Sequence, residues 1–204
     1  MSPETFIAFA LFALVGSITP GPNNVMLTAT GAAVGIKRGM PALLGVTLGF
    51  SVMVSLVALG LGSFITANPS VLNGLRIAGI LMLVWMAWKI ATAPVATSDP
   101  QTPAPIQQKP IGFLGAAAFQ WVNPKAWLVA VSAAATYFVA DQGAVSQAVF
   151  FGTIFLMAAI PSCFLWLSFG AAAGRVLAHR PRLAQGFNFL MAALLLSSIW
   201  LMIA

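Results

Sequence analysis

The sequence predicts an all-α integral membrane protein. Its fold class is six transmembrane helices in a 3+3 inverted-topology repeat, with helices 1 and 4 broken. Only 6% of the 204 residues are charged and 60% are hydrophobic, with mean hydropathy +0.99, whereas a soluble domain carries about 25% charged residues. Apolar runs of the roughly 20 residues that a helical span needs recur along the chain. Two of these runs contain proline where an intact helix could not hold it, at Pro20 and Pro22 and again at Pro124. Proline lacks the backbone N–H and clashes with the preceding turn.

The spans are expected at about residues 4–30, 40–65, 71–92, 111–138, 145–173 and 183–203. No basic segment precedes the first, and Glu4 is its only early charge, so it should stay in the membrane rather than be cleaved as a signal peptide. The string Pro20-Gly21-Pro22-Asn23-Asn24 interrupts it. The second span carries Gly45 and Gly49 one helical turn apart. The third closes on Trp85, Trp88 and Lys89, an aromatic belt beside a cation. Residues 94–110, rich in Pro, Thr and Gln, read as an extended cytoplasmic linker. They separate a first three-helix repeat (1–93) from a second (111–204). The fourth span is interrupted at Asn123-Pro124-Lys125. The fifth holds Pro161, expected to kink it, and Cys163, read as packing; a single cysteine excludes an internal disulfide. The sixth ends near Trp200, which with Tyr137 would make an outer belt.

Lys37 and Arg38 follow span one, Lys89 and Lys109 flank the linker, and Arg175, Arg180 and Arg182 follow span five. These alternate connections should be cytoplasmic, placing both termini outside. Arg76, one turn into span three, is the exception, and its long side chain can snorkel outward. Three spans per half force the halves into opposite orientations, and weak internal similarity accompanies this. Pro22 and Pro124 fall at similar depths, Leu44-Gly45 is echoed by Phe151-Gly152, and Leu75-Arg76-Ile77-Ala78-Gly79 by Arg182-Leu183-Ala184-Gln185-Gly186. Inverted repeats of this kind are common in secondary transporters; chance likeness among apolar helices is the alternative. Gly31, Gly35 and Gly39, Gly45 and Gly49, and Gly170 and Gly174 read as close helix packing within the monomer, and a homodimer is compatible with the same faces.

Several function classes are excluded. The net charge of +6 belongs to cytoplasmic loops rather than to nucleic-acid binding. The chain is too small for a nucleotide-binding domain and has no phosphate-cradling P-loop. Glu4, Asp99 and Asp141 lie at span ends or in loops, and His179 sits in the basic loop, so no metal site, cofactor or catalytic triad is expected. The lipid bilayer and a small-molecule substrate are the expected partners.

What remains is the pair of breaks. Asn23 and Asn24 could cap the helix that resumes after Pro22, whose orphan N–H groups make a positive pole suited to a carboxylate. Asn123 is an N-cap candidate, with Pro124 in the first turn. Lys125 lies deep in hydrocarbon, where an ionisable residue marks function by default; a lysine snorkelling to the headgroups is the alternative. Gln120 lies one turn earlier. Two prolines, a glycine and two asparagines are much for a simple kink, the other reading of the first break. The expected substrate site is therefore Pro20, Gly21, Pro22, Asn23, Asn24, Gln120, Asn123 and Lys125, with Lys125 also the coupling residue and apolar side chains of spans two and five completing the pocket. An inorganic-ion or metal exporter of similar architecture is the alternative class.

The residues of Thr19-Pro20-Gly21-Pro22-Asn23-Asn24, Gly45-Val46-Thr47-Leu48-Gly49, Trp85 to Ile90 and Asn123-Pro124-Lys125-Ala126-Trp127 closely resemble the LysE/RhtB family of amino-acid exporters, over essentially the whole chain. Leu83 to Thr92, with Gly45 to Phe50, look most like its cysteine/O-acetylserine branch. The resemblance implies a bacterial inner-membrane carrier that exports small neutral amino acids or derivatives, cysteine/O-acetylserine-like or threonine/homoserine-like, driven by the proton gradient.

Overall fold

The computed structural model describes residues 1–93, 111–139, 143–178 and 180–200. The expected linker at 94–110, with Asp99 and Lys109, lies outside the described residues, as do Asp141 and His179. Every element among the described residues is helical.

Helix α1 (Pro3–Ile18) starts where Ser2 takes the N-cap, its hydroxyl accepting from the Thr5 N–H at 3.3 Å, with Pro3 at the first position and Glu4 in the first turn. All three choices favour a helix start. It stops at Thr19, whose hydroxyl donates back to the Val15 carbonyl at 2.5 Å, just before Pro20. Helix α2 (Pro22–Leu56) resumes at Pro22. At Gly35 its backbone leaves the helical region, with φ 75° and ψ 178°, a conformation essentially reserved for glycine. A wide turn at Val57–Leu61 and a short α3 (Gly62–Thr66) extend α2. Then come α4 (Pro69–Ala91), α5 (Phe113–Phe119), a tight turn at Gln120–Val122, α6 (Pro124–Tyr137), α7 (Ala144–Leu177), which passes Pro161 without ending, and α8 (Pro181–Ser197).

Gly35 folds α2 back on itself. Gly170 of α7 lies against Thr28, and Gly174 against Ala32, so the first limb runs parallel to α7. Gly152 lies against Ser51 and Ser55 while Leu167 reaches Gly39, so the second limb runs antiparallel to it. Helix α1 continues the line of the first limb along α7. Phe6 meets Phe150 (ring centroids 6.1 Å), Phe9 meets Phe151 (4.5 Å), and the Trp166 indole donates to the Ile18 carbonyl at 3.1 Å. Helices α5 and α6 follow each other in the same way along the second limb. Gly45 sits on Phe113 and Ala116, Gly49 on Ala117, and Gly62 beside Val131. Helix α4 packs on α8 through Leu83, Met86 and Ala87 against Met191, Ala192 and Leu195.

These approaches need small residues. A methyl group at Gly31, Gly45, Gly170 or Gly174 would collide with a neighbouring backbone carbonyl, as expected where helix backbones touch. Gly35 corrects the sequence reading: nothing packs within 4 Å of the space a side chain would fill there, and its role is the reversal.

Among the described residues, three helical stretches are long and apolar enough to cross a bilayer unaided: Pro22–Ile65, Pro69–Ala91 and Ala144–Leu177. The sequence suggested six. Proline divides the first and fourth apolar runs into shorter pieces, α8 has 17 residues, and the 44-residue stretch Pro22–Ile65 is bent into two limbs. The outer surface is apolar, with Leu81, Leu114, Leu128, Val149 and Val176 exposed. Monomeric soluble proteins rarely show such a surface.

Candidate functional site

Where α1 stops, its last carbonyls have no partner in the helical ladder. Three side chains supply donors. The Asn24 amide reaches the carbonyls of Ser17 (3.2 Å), Ile18 (3.4 Å) and Thr19 (2.8 Å). Trp166 of α7 supplies the indole bond to Ile18 already described. The Lys125 ammonium donates to the Thr19 carbonyl and reaches the Pro20 carbonyl at 3.4 Å. A cation here also faces the negative end of the α1 dipole. Gly21 makes room for it: a Cβ at that position would lie 2.6 Å from Lys125 Cδ.

The second interruption is organised differently. Asn123 caps α6, its side-chain oxygen accepting from the Lys125 N–H at 3.1 Å, with Pro124 at the first helical position, as the sequence suggested. The Asn123 N–H donates to the Gln120 carbonyl at 3.3 Å, and the Trp127 indole donates to the Trp121 carbonyl at 2.8 Å.

A reciprocal amide pair joins the two interruptions. Asn23 Nδ2 donates to Gln120 Oε1 at 2.8 Å, and Gln120 Nε2 donates to Asn23 Oδ1 at 3.0 Å. Gln120 is fully buried and also donates to the Ala116 carbonyl at 3.0 Å. Buried polar groups are tolerated only when satisfied in this way.

One expectation is corrected here. Asn23 and Asn24 do not cap α2. Gly21 holds the N-cap position, and no side chain makes a capping bond there. Because Pro22 occupies the first helical position, both asparagines fall inside the first turn, where their side chains are free to reach other elements.

A small, half-open cavity of about 30 Å³ lies at the junction, room for about two waters but not for an amino acid. Gly21, Asn23, Asn24, Asn123 and Lys125 line it. Of the other expected site residues, Gln120 is sealed behind Asn23, Pro22 is buried at the start of α2, and Pro20 contributes its carbonyl. Val46 and Phe50 of α2 and Ala159 and Cys163 of α7 form the apolar wall. Sequence reasoning missed Ser17 and Cys163. Ser17 Oγ is buried with no hydrogen-bond partner on the cavity lining. Ala159 and Cys163, like Val46 and Phe50, are four residues apart and so share a helix face; that spacing was the available signal.

The LysE type translocator family signature matches residues 14–199, a stretch that includes both interruptions and the cavity. The chain belongs to the LysE-type translocator family. Among its relatives, the cysteine/O-acetylserine efflux proteins of Escherichia coli strain K12, E. coli O6:K15:H31 and Shigella sonnei strain Ss046 are each 34% identical over 149 residues, covering 73% of this chain and 73% of theirs. No solved structure matches it. As a LysE-type translocator the chain is a membrane-transport protein, and its junction of helix ends is the candidate site.

Proposed function

We propose that this LysE-type translocator is a secondary transporter of the bacterial inner membrane. It exports small neutral amino acids or derivatives from the cytoplasm, with cysteine and O-acetylserine the leading candidates. One observation carries this reading. The carbonyl end of α1 and the amide ends of α2 and α6 meet at one polar cavity inside an apolar bundle, with Lys125 at its edge. Such paired ends of opposite polarity suit a zwitterion. In this reading Pro20, Gly21, Pro22, Asn23, Asn24, Gln120, Asn123 and Lys125 form the substrate site. The names of the efflux relatives support the substrate class.

The same reading takes the chain as six spans in two inverted halves, 1–93 and 111–204, joined by a linker at 94–110. The packing supports it. Helix α1 with the first limb of α2 lies along α7, and α5 with α6 lies along the second limb, so each half's interrupted span packs against the other half's second. Both prolines that restart a helix hold the first position. Gly174 against Ala32 places Arg175 near the reversal that carries Lys37 and Arg38, which favours a cytoplasmic face there and both termini outside. Gly31, Gly39, Gly45, Gly49, Gly170 and Gly174 pack within the chain, so a homodimer would use other faces.

Alternating access would open the cavity to each side in turn, with the proton gradient as driver and Lys125 as the coupling residue. An inorganic-ion exporter would instead need a ligand cluster, and among the described residues no three His, Cys, Asp or Glu side chains gather. The test is efflux from preloaded, energised cells of labelled cysteine, O-acetylserine, threonine, homoserine and lysine, with and without a protonophore. Selective, protonophore-sensitive efflux is expected. Absence of efflux with the protein present in the membrane would overturn the proposal.

A further inference from the structure

We infer that the Thr19 and Pro20 carbonyls are the ammonium subsite of the carrier, and that Lys125 occupies it as an internal stand-in when no substrate is bound. The inference rests on the reading of the cavity as a zwitterion site and adds a role for each pole. The Lys125 ammonium is a primary ammonium on a flexible stem, chemically the same group as the α-ammonium of an amino acid. It donates to the Thr19 and Pro20 carbonyls at the negative end of α1. Thr19 and Pro20 are exposed rather than sealed, so a ligand can reach these oxygens. Asn24 and Trp166 serve the Ser17 and Ile18 carbonyls, and Asn24 also takes one side of the Thr19 carbonyl, leaving its second lone pair and the Pro20 carbonyl to the ammonium. Removing Lys125 frees the Pro20 carbonyl and one side of the Thr19 carbonyl while leaving the Asn23–Gln120 amide pair intact.

A substrate therefore binds by exchange. Its ammonium takes the two carbonyls, and the displaced Lys125 turns to its carboxylate, beside the first turn of α2. Each charged group keeps hydrogen-bond partners at either stage, which matters in a low-dielectric site. The cavity is too small for an amino acid while the lysine stem lies across Gly21, and the exchange removes that stem. The substrate class is thereby narrowed to compounds carrying both a free primary ammonium and a carboxylate.

The test uses purified protein in phosphatidylethanolamine/phosphatidylglycerol vesicles. Counterflow of labelled L-cysteine is measured against three competitors: unlabelled L-cysteine, N-acetylcysteine and 3-mercaptopropionate. The last two keep the carboxylate and lose the ammonium, and neither should compete at tenfold the concentration at which L-cysteine does. In parallel, thermal protection of the detergent-solubilised protein by ethylammonium is titrated, with sodium chloride at equal ionic strength as control. Lys125→Met vacates the subsite, and Gly21→Ala pushes the lysine stem off it. Both should be protected at ethylammonium concentrations at least tenfold lower than wild type. Equal protection of all three proteins, or competition by 3-mercaptopropionate as strong as by L-cysteine, would overturn the subsite. Failure of L-cysteine counterflow with the ethylammonium difference intact would leave the subsite standing and remove cysteine as the substrate.

Discussion

The two interruptions look alike on paper and are held in different ways. The second is closed by its own neighbourhood: Asn123 caps two residues on, its N–H bonds the Gln120 carbonyl, and Trp127 reaches back to Trp121. The first is closed largely from a distance. Lys125 and Trp166 come to its carbonyls from 106 and 148 residues away, while Asn24 and the Thr19 hydroxyl serve it from nearby. A locally capped break forms with its helix and keeps its shape. A break closed by other helices changes when they move, and in a carrier that is the place where motion and binding can be linked.

The largest expected effect falls on the shared cation. Lys125→Met should abolish efflux while the protein remains folded in the membrane, read as transport against membrane abundance; undiminished efflux would show the first break to be merely structural. Next comes Asn24→Leu, which strips the carbonyls of Ser17, Ile18 and Thr19 of their amide. The loss should be about 2–3 kcal/mol, seen as a lowered unfolding temperature in detergent. A loss no larger than that of the local cap would erase the contrast between the breaks. The amide pair joining them ranks third. Gln120→Leu alone should cost about 1–2 kcal/mol by stranding Asn23, whereas Asn23→Leu combined with Gln120→Leu should recover much of that. Transport by the double variant should stay impaired, and a double-mutant cycle with efflux measured alongside separates the two effects. The smallest effect on stability is expected for Asn123→Ala, about 1 kcal/mol from the lost cap, with efflux lowered as well because Asn123 lines the proposed substrate site.

Much of this was legible in residue order. Pro20, Pro22 and Pro124 placed the interruptions, and Asn123 followed by Pro124 announced its own cap. The paired glycines at 45 and 49 and at 170 and 174 marked close packing. Gly35 was misread because spacing with Gly31 and Gly39 looks the same whether a glycine packs or turns; only its φ of 75° tells them apart. Asn23 and Asn24 were assigned as caps although Pro22 at the first helical position already gives that place to Gly21. The six expected spans were inferred from apolar length, which cannot distinguish one continuous helix from pieces laid end to end along a neighbour.

The sequence by itself determined that the chain belongs in a bilayer and where its helices must stop and restart. Those are local consequences of hydrophobicity and of a missing N–H at proline. Which groups answer the carbonyls so released was decided only by the tertiary structure. Asn23 meets Gln120 across 97 residues, and Lys125 meets Thr19 across 106. A hydrogen bond between residues so far apart exists only once packing has brought their helices together, and no rule of local spacing contains it.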